Sequence, residues 1–121
     1  MLEILPSKDI TTVAVQFSGK ATQADADKLE SYVAKHYGTN RKFNILAIIR
    51  DVDGTNLMGM LSGLKFDAKR MNQFSKIAAV SNLQWVQSMA NLGNMMPNLE
   101  VKAFSEEEIE KAWGWIITSG D

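Results

Sequence analysis

Residues 43–56, FNILAIIRDVDGTN, contain the segment that decides the fold of this 121-residue chain. Apolar side chains occupy neighbouring positions over most of residues 43–50, so both faces of a strand here would be buried. That pattern is typical of a central strand in a parallel sheet. Parallel neighbours are joined by crossover connections that usually contain a helix. We therefore expect helices on both sides of this strand in the sequence.

Strand-like and helix-like patterns alternate along the rest of the chain. Further strands are predicted at residues 2–5, 12–18, 77–80 and 101–104, and the first two form a hairpin. The order β-β-α-β-α-β-α-β-α predicts an α/β fold with right-handed crossovers. The expected architecture is a mostly parallel five-stranded sheet with an N-terminal antiparallel edge strand and about four helices.

Capping residues and apolar stripes define the helices. Thr22 and Asp25 open the first helix and Gly38 ends it, while Ser105 and Glu108 form a capping box before the last. The two middle helices are predicted at residues 57–71 and 83–96. The apolar stripes are Ala26, Leu29, Val33 and Tyr37 in the first helix, and Ile109, Ala112, Trp113, Ile116 and Ile117 in the last.

Composition excludes several classes of site. The chain has no cysteine, which excludes disulfides and thiolate chemistry, and its single histidine, His36, excludes multi-histidine metal sites within one chain. The 13 basic and 14 acidic residues are mixed along the sequence, which argues against nucleic-acid binding. The longest apolar run, residues 45–49, is far too short for a transmembrane segment.

Length and the lack of a targeting signal complete this description. The chain is short enough for a single domain over residues 1–121. We expect a cytoplasmic protein of bacterial type that needs no cofactor and no metal. The sequence leaves a homodimer open.

The Asp-x-Asp sequence after the central strand resembles the phosphotransferase motif of the haloacid dehalogenase class. In that arrangement Asp51 would form an aspartyl phosphate, Asp53 would act as general acid and base, and Mg²⁺ would bind carboxylate and phosphate. Ser81 would supply a phosphate-binding hydroxyl. The basic residue and later acidic pair that complete such a site do not follow residues 101–104 in the expected form. The sequence therefore favours turn and capping roles for these aspartates over a Mg²⁺-dependent phosphatase.

Methionines are concentrated in the two middle helices. Of the seven methionines, all except Met1 lie in or beside residues 57–71 and 83–96. Because methionine repacks easily around varied ligands, the pattern predicts either ordinary core packing or a deformable apolar pocket. The predicted lining of that pocket is Leu57, Met60, Leu61, Leu64, Trp85, Met89, Leu92, Met95 and Met96.

Taken together, the residues resemble the SpoIIAA-like family of small bacterial proteins, which have a STAS and CRAL-TRIO-like fold. The resemblance implies a (βα) superhelix-like α/β domain without an established catalytic residue. It rests on five segments in order: MLEILPS (1–7), VAVQFSGKATQADADKL (13–29), LSGLKFD (61–67), LQWVQSMANLGNMMPNLEVKAF (83–104) and SEEEIEKAWGWI (105–116).

Two functions follow from this resemblance. The CRAL-TRIO likeness implies a lipid or other small apolar ligand beneath mobile helices, for which the methionine-rich helices are the candidates. Anti-sigma-factor antagonists of this fold switch by phosphorylation of a serine at the start of the helix after the third strand, where Thr55 is the nearest hydroxyl here. We rank a non-catalytic apolar-ligand module slightly ahead of a regulatory protein-interaction module, and the phosphatase last.

Overall fold

The strand over Phe43–Arg50 is central to one sheet in the computed structural model, which describes residues 1–56, 72–93 and 99–117, with the backbone alone for residues 89–93. The first strand pairs antiparallel with the second, and every other neighbouring pair is parallel. The predicted sheet, with its antiparallel N-terminal edge strand, is confirmed. Its five strands lie side by side in chain order: β1 Leu2–Leu5, β2 Thr12–Ser18, β3 Phe43–Arg50, β4 Phe74–Val80 and β5 Glu100–Phe104.

The described helices are α1 Gln23–Tyr37, α2 Gln84–Gly93 and α3 Ile109–Ile117, and a 3₁₀ turn over Glu106–Glu108 leads directly into α3. Helical backbone at residues 54–56 and 72–73 marks both ends of the β3–β4 crossover. The helix predicted at residues 57–71 otherwise lies outside the described residues. These elements confirm the α/β class. Over the described ranges, no helix has the length and apolar character needed to cross a membrane.

The helices divide the apolar interior between the two faces of the sheet. Because side chains alternate along a strand, each buried strand contributes to both faces. α1 and α2 pack on the first face, over a core that includes Val13, Val15, Phe17, Leu29, Val33, Phe43, Ala47, Phe74 and Val86. α3 packs on the second face, over a core that includes Ala14, Leu46, Ile48, Ala78, Val80, Phe104, Trp113 and Ile116.

The start and end of α1 follow the sequence signals. The Thr22 hydroxyl accepts from the Asp25 N–H and the Asp25 carboxylate accepts from the Thr22 N–H, so the capping box is complete. Gly38 ends the helix with φ 58° and ψ −135°, a conformation open to glycine because it has no Cβ. The predicted stripe is buried at all four positions: Ala26, Leu29, Val33 and Tyr37.

The first half of β4 differs from the prediction. The strand begins at Phe74 rather than at residue 77, and the β3–β4 register shifts between Phe43 and Ile45. At this irregularity the side-chain oxygen of Asn44 accepts from the Lys76 N–H at 3.1 Å. A bulge of this kind breaks the alternation from which strands are predicted.

The end of α3 requires a second correction. Ala112, Trp113 and Ile116 are buried as predicted, but Ile117 is 50% exposed. The helix carries its apolar stripe into its last described turn, where Trp115 packs beside Lys76 of β4. The Lys76 ammonium lies 4.6 Å from the Trp115 ring centre and donates to the Trp115 carbonyl at 2.9 Å.

Candidate functional site

The turn after β3 is organised around Asp53. Its carboxylate accepts from the N–H groups of Thr55 at 2.8 Å and Asn56 at 3.3 Å, and helical backbone begins at Gly54. Asp53 is therefore the N-cap of the crossover helix, as the capping interpretation of the motif predicts. Asp51 is exposed with φ 49°, a left-handed conformation that aspartate tolerates better than most residues.

Asn56 anchors this turn to the neighbouring loop. Its side-chain oxygen accepts from the Ala21 N–H at 2.7 Å, and its amide donates to the Ala21 carbonyl at 3.0 Å. Thr55 beside it is exposed, and its hydroxyl makes no hydrogen bond to another described residue. The start of the crossover helix is thus fixed while the Thr55 side chain is left accessible.

The ring of Trp85, on α2, closes over the same helix start. A Cβ placed on Gly54 would come within 3.1 Å of the ring, closer than ordinary van der Waals contact. Trp85 is itself half-buried and packs against the core between α1, α2 and the sheet. The starts of two helices therefore meet at the carboxyl ends of the parallel strands, which is where open α/β sheets commonly bind ligands.

The hydroxyl of Ser81, which the phosphatase alternative would use to bind phosphate, makes only internal hydrogen bonds among the described residues. Ser81 is fully buried, donates to the Ile49 carbonyl at 2.6 Å and accepts from the Leu83 N–H at 3.1 Å. Because both bonds are internal, Ser81 ties the β3 end to the start of α2 and does not face a substrate. This geometry does not support the phosphate-binding role that Ser81 would have in the phosphatase alternative, which the sequence already disfavours. Within the described ranges, no group of three or more histidine, aspartate or glutamate side chains converges to hold a metal ion.

Exposed acids surround this end of the sheet. Arg50 forms an ion pair of 2.7 Å with Glu106, whose N–H donates to the Asn82 side chain at 3.0 Å. Asp51, Asp53 and Glu107 are exposed, and no ion pair joins them to the described residues. We give the name acidic edge to the exposed residues Asp51, Asp53, Thr55 and Glu107, which follow the carboxyl ends of β3 and β5. A shallow groove of about 290 Å³ beside it is lined by Ile49, Arg50, Asp51, Asn82, Leu83 and Glu106.

Trp85 is the one residue of the predicted apolar pocket whose side chain is among the described residues. Trp85 lies at the helix junction described above, and Met89 and Leu92 lie on α2 with their backbone alone described. The pocket stays a prediction. Its other predicted residues lie outside the described residues: Leu57, Met60, Leu61, Leu64, Met95 and Met96.

A second groove, of about 450 Å³, lies at the opposite end of the sheet. The sequence analysis did not predict it, although Tyr32 and His36 are four residues apart on α1 and so lie on one face of that helix. Their ring centres are 4.2 Å apart. The groove is lined by Ser7, Lys8, Asp9, Ile10, Thr12, Tyr32, His36, Tyr37 and Arg41. We name it the aromatic groove.

A hydrogen bond from the Tyr37 hydroxyl joins two walls of the aromatic groove. The hydroxyl donates to the Ile10 carbonyl at 2.8 Å, which holds the β1–β2 turn against the end of α1. Burial raises the pKa of Tyr37, and the nearby Tyr32 and Asp9 raise it further against the opposing effect of Arg41. The phenol therefore stays protonated at neutral pH and keeps this bond.

Comparison with protein families identifies the class. The model of the SpoIIAA-like family matches residues 12–117, so the chain belongs to the SpoIIAA-like family, as the resemblance predicted. A SpoIIAA-like fold indicates a STAS-type module.

Comparison with solved structures supports the same fold. The chain is similar to an uncharacterised protein of the DUF3478 family with a SpoIIAA-like fold from Shewanella loihica PV-4. The two share 19% sequence identity with a TM-score of 0.66, over 96% of this chain and 92% of the other. Identity this low shows the fold alone. No curated protein matches the chain.

Proposed function

We propose that this chain is a non-catalytic STAS-type regulatory module that binds a partner protein through its acidic edge. The observation that carries the proposal is the position of Thr55. It is exposed in the first turn of a helix whose start is fixed by Asp53 and Asn56. A fixed helix start with an accessible side chain is a preorganised surface, which lowers the entropic cost of binding.

Charge defines the chemistry of the partner. Arg50 is already paired with Glu106, whereas Asp51, Asp53 and Glu107 have no basic partner among the described residues. A partner with lysine or arginine at its surface would be attracted to this edge, and complementary charge both speeds association and selects the orientation of the complex. The partner is therefore a protein with a basic docking surface.

The test compares three chains that carry the same affinity tag: wild type, Thr55→Arg and Thr39→Arg. Thr39 is exposed in the turn after α1, at the other end of the sheet, so it is a matched control. Partners are captured from cells of the source organism and quantified by mass spectrometry. We expect one protein to be captured equally by wild type and Thr39→Arg, and about tenfold less by Thr55→Arg, because the new arginine repels a basic surface.

The captured protein is then purified and titrated against the chain. Its affinity should fall as salt is raised, because exposed charges are screened at high ionic strength. Equal capture by Thr55→Arg and wild type would contradict the proposal. So would a protein that binds the purified chain with no dependence on salt.

Binding of a small apolar ligand is a second proposal, favoured by the half-buried ring of Trp85. It lies where α2 meets the start of the crossover helix, and it is itself one of the residues predicted to line the pocket. Native mass spectrometry of the purified chain tests it. An adduct of lipid mass that is lost on denaturation would support the proposal, and a bare chain after incubation with an extract of cell lipids would contradict it.

A further inference from the structure

The aromatic groove joins three separate segments at the amino ends of the parallel strands. The β1–β2 turn contributes Lys8, Asp9 and Ile10, α1 contributes its tyrosines and histidine, and the following loop contributes Arg41. Its volume of about 450 Å³ falls within the range of small-molecule sites. Neither the proposed function nor the family assignment involves this groove.

Contacts with buried residues hold the walls of the groove in place. The side-chain amide of Gln73 is buried and donates to the carbonyls of Arg41 at 2.9 Å and Gly38 at 3.2 Å, which fixes the loop after α1. The Tyr37 ring stacks on Phe43 in the core, with centres 5.0 Å apart. A site built on such supports keeps its shape without a ligand, which is what preorganised binding requires.

Two basic side chains, Lys8 and Arg41, line the groove, and among the described residues they differ in their partners. Lys8 donates to the Glu110 carboxylate at 3.0 Å. The Asp9 carboxylate accepts from the hydroxyls of Thr11 at 2.5 Å and Thr12 at 2.7 Å, and so closes the turn on itself. Arg41 is exposed, and no hydrogen bond or ion pair joins its guanidinium to the described residues.

The aromatic wall lies in the same groove as this guanidinium. The Tyr32 and His36 rings pack against each other, with centres 4.2 Å apart and planes tilted by 34°, and both line the groove, where an aromatic ligand can contact them. Ile10, 85% exposed, adds an apolar side chain to the lining of the groove. A planar guanidinium matches the geometry of a carboxylate, with which it forms paired hydrogen bonds.

We propose that the aromatic groove binds a small aromatic carboxylate. The carboxylate pairs with Arg41, and the ring packs against the Tyr32–His36 pair. Ligand binding here would occupy the end of the sheet opposite the acidic edge, so the two sites are separate.

The experiment is a titration of the full chain with benzoate, followed by two-dimensional amide NMR. Benzamide serves as the neutral control and acetate as the control that lacks a ring. We expect saturable shifts that cluster at residues lining the groove, with benzamide and acetate each weaker by about tenfold, since charged hydrogen bonds and ring contacts each contribute on that scale.

Two variants assign the effect to the groove. Arg41→Gln should weaken benzoate binding by about tenfold, towards the level of benzamide. Lys42→Gln changes the neighbouring exposed cation, which does not line the groove, and should bind benzoate as wild type does. Both positions are exposed, and the amide spectrum of each variant shows directly that it is folded.

Three results would overturn the proposal: no saturable benzoate shifts at the groove, equal binding by Arg41→Gln and wild type, or equal binding of acetate and benzoate. None of them bears on the protein-binding proposal, because the acidic edge contains none of these residues.

Discussion

The two ends of the sheet are built in different ways. At the acidic edge, Asp53 caps residues two and three positions further along, so most of the turn is organised by its own short sequence. The aromatic groove instead brings together the β1–β2 turn, α1 and the loop after it, and depends on Gln73 from a fourth segment. A site organised locally should survive changes in packing, whereas a site assembled from distant segments should be lost with the contact that holds them.

The largest expected effect is at Gln73. Leucine at this position would leave the carbonyls of Gly38 and Arg41 without the donor that they have now. The Gln73 amide also donates to the Tyr37 carbonyl at 3.5 Å. At about 1 kcal/mol for each of the three lost bonds, we expect Gln73→Leu to lower the free energy of unfolding by about 3 kcal/mol in urea denaturation. Asn56→Leu is the matched change beside the acidic edge. It removes two bonds from a half-exposed residue and should cost about 1 kcal/mol. Equal losses of unfolding free energy in Gln73→Leu and Asn56→Leu would show that the two ends of the sheet depend equally on contacts between distant segments.

A smaller loss is expected at Gly38, which ends α1 beside the aromatic groove. Open space surrounds the position of its missing Cβ, so Gly38→Ala tests backbone conformation alone. A residue forced into such a conformation costs about 2 kcal/mol, which thermal or urea unfolding will detect. Gly114→Ala in α3, also in open space, is the control and should be neutral or stabilising because alanine favours helix. Destabilisation by the control as large as that at Gly38 would exclude backbone strain as the cause.

At the acidic edge, a substitution at Asp51 should stabilise the fold rather than destabilise it. Glycine relieves a left-handed backbone, so Asp51→Gly should raise the free energy of unfolding by about 1 kcal/mol or leave it unchanged. Because this variant also removes a carboxylate from the acidic edge, it should weaken partner capture without loss of stability. A clear loss of stability in urea would mean that the Asp51 side chain supports the turn.

The smallest expected effects are on the pH dependence of the free energy of unfolding, which differs between the two ends of the sheet. Asp25 lies at the start of α1, where burial tends to raise its pKa, but bonds from the Thr22 and Leu2 N–H groups and the charge of the Met1 amino group lower it overall. Its contribution to stability is therefore complete above the ordinary pKa of 3.8 and is lost as pH falls below that value.

Tyr37 has the opposite dependence, because its pKa is raised above the ordinary value of 10.0. The folded chain holds this proton more tightly than the unfolded chain, so its contribution is complete below pH 10.0 and is lost as pH rises further. Urea denaturation across pH should show the acid decline reduced in Asp25→Asn and the alkaline decline reduced in Tyr37→Phe. If stability declined as much in these variants as in wild type, the acid and alkaline declines would be due to other titratable groups.

The strand and helix boundaries show where sequence patterns are sufficient. β1, β2 and β3 begin and end at the predicted residues, because each is bounded by turn residues or glycine in the sequence. β4 was predicted three residues too short. Its first residues include Lys76, which is buried beside Trp115 of α3 and donates a hydrogen bond to the Trp115 carbonyl. No local pattern identifies a lysine buried by a helix that begins more than thirty residues later.

The candidate sites divide in the same way. Capping chemistry at Asp53 was predictable, since aspartate followed by glycine after a buried strand is a local signal. The bond from the Ser81 hydroxyl to the Ile49 carbonyl was not predictable, because it depends on how the ends of β3 and β4 align. Arg41 and Tyr32 gave no signal, because each is an ordinary exposed or half-buried residue until the hairpin turn packs beside it.

By itself, the sequence determined the order of the elements, the central buried strand, the caps of α1 and the membership of the SpoIIAA-like family. Those features depend on side-chain periodicity and on bonds between residues a few positions apart. The tertiary structure alone decided the bulge in β4, the burial of Lys76 and Ser81, and the aromatic groove. Each of these arises from atoms distant in the chain, and their burial or exposure is set only when the segments pack together.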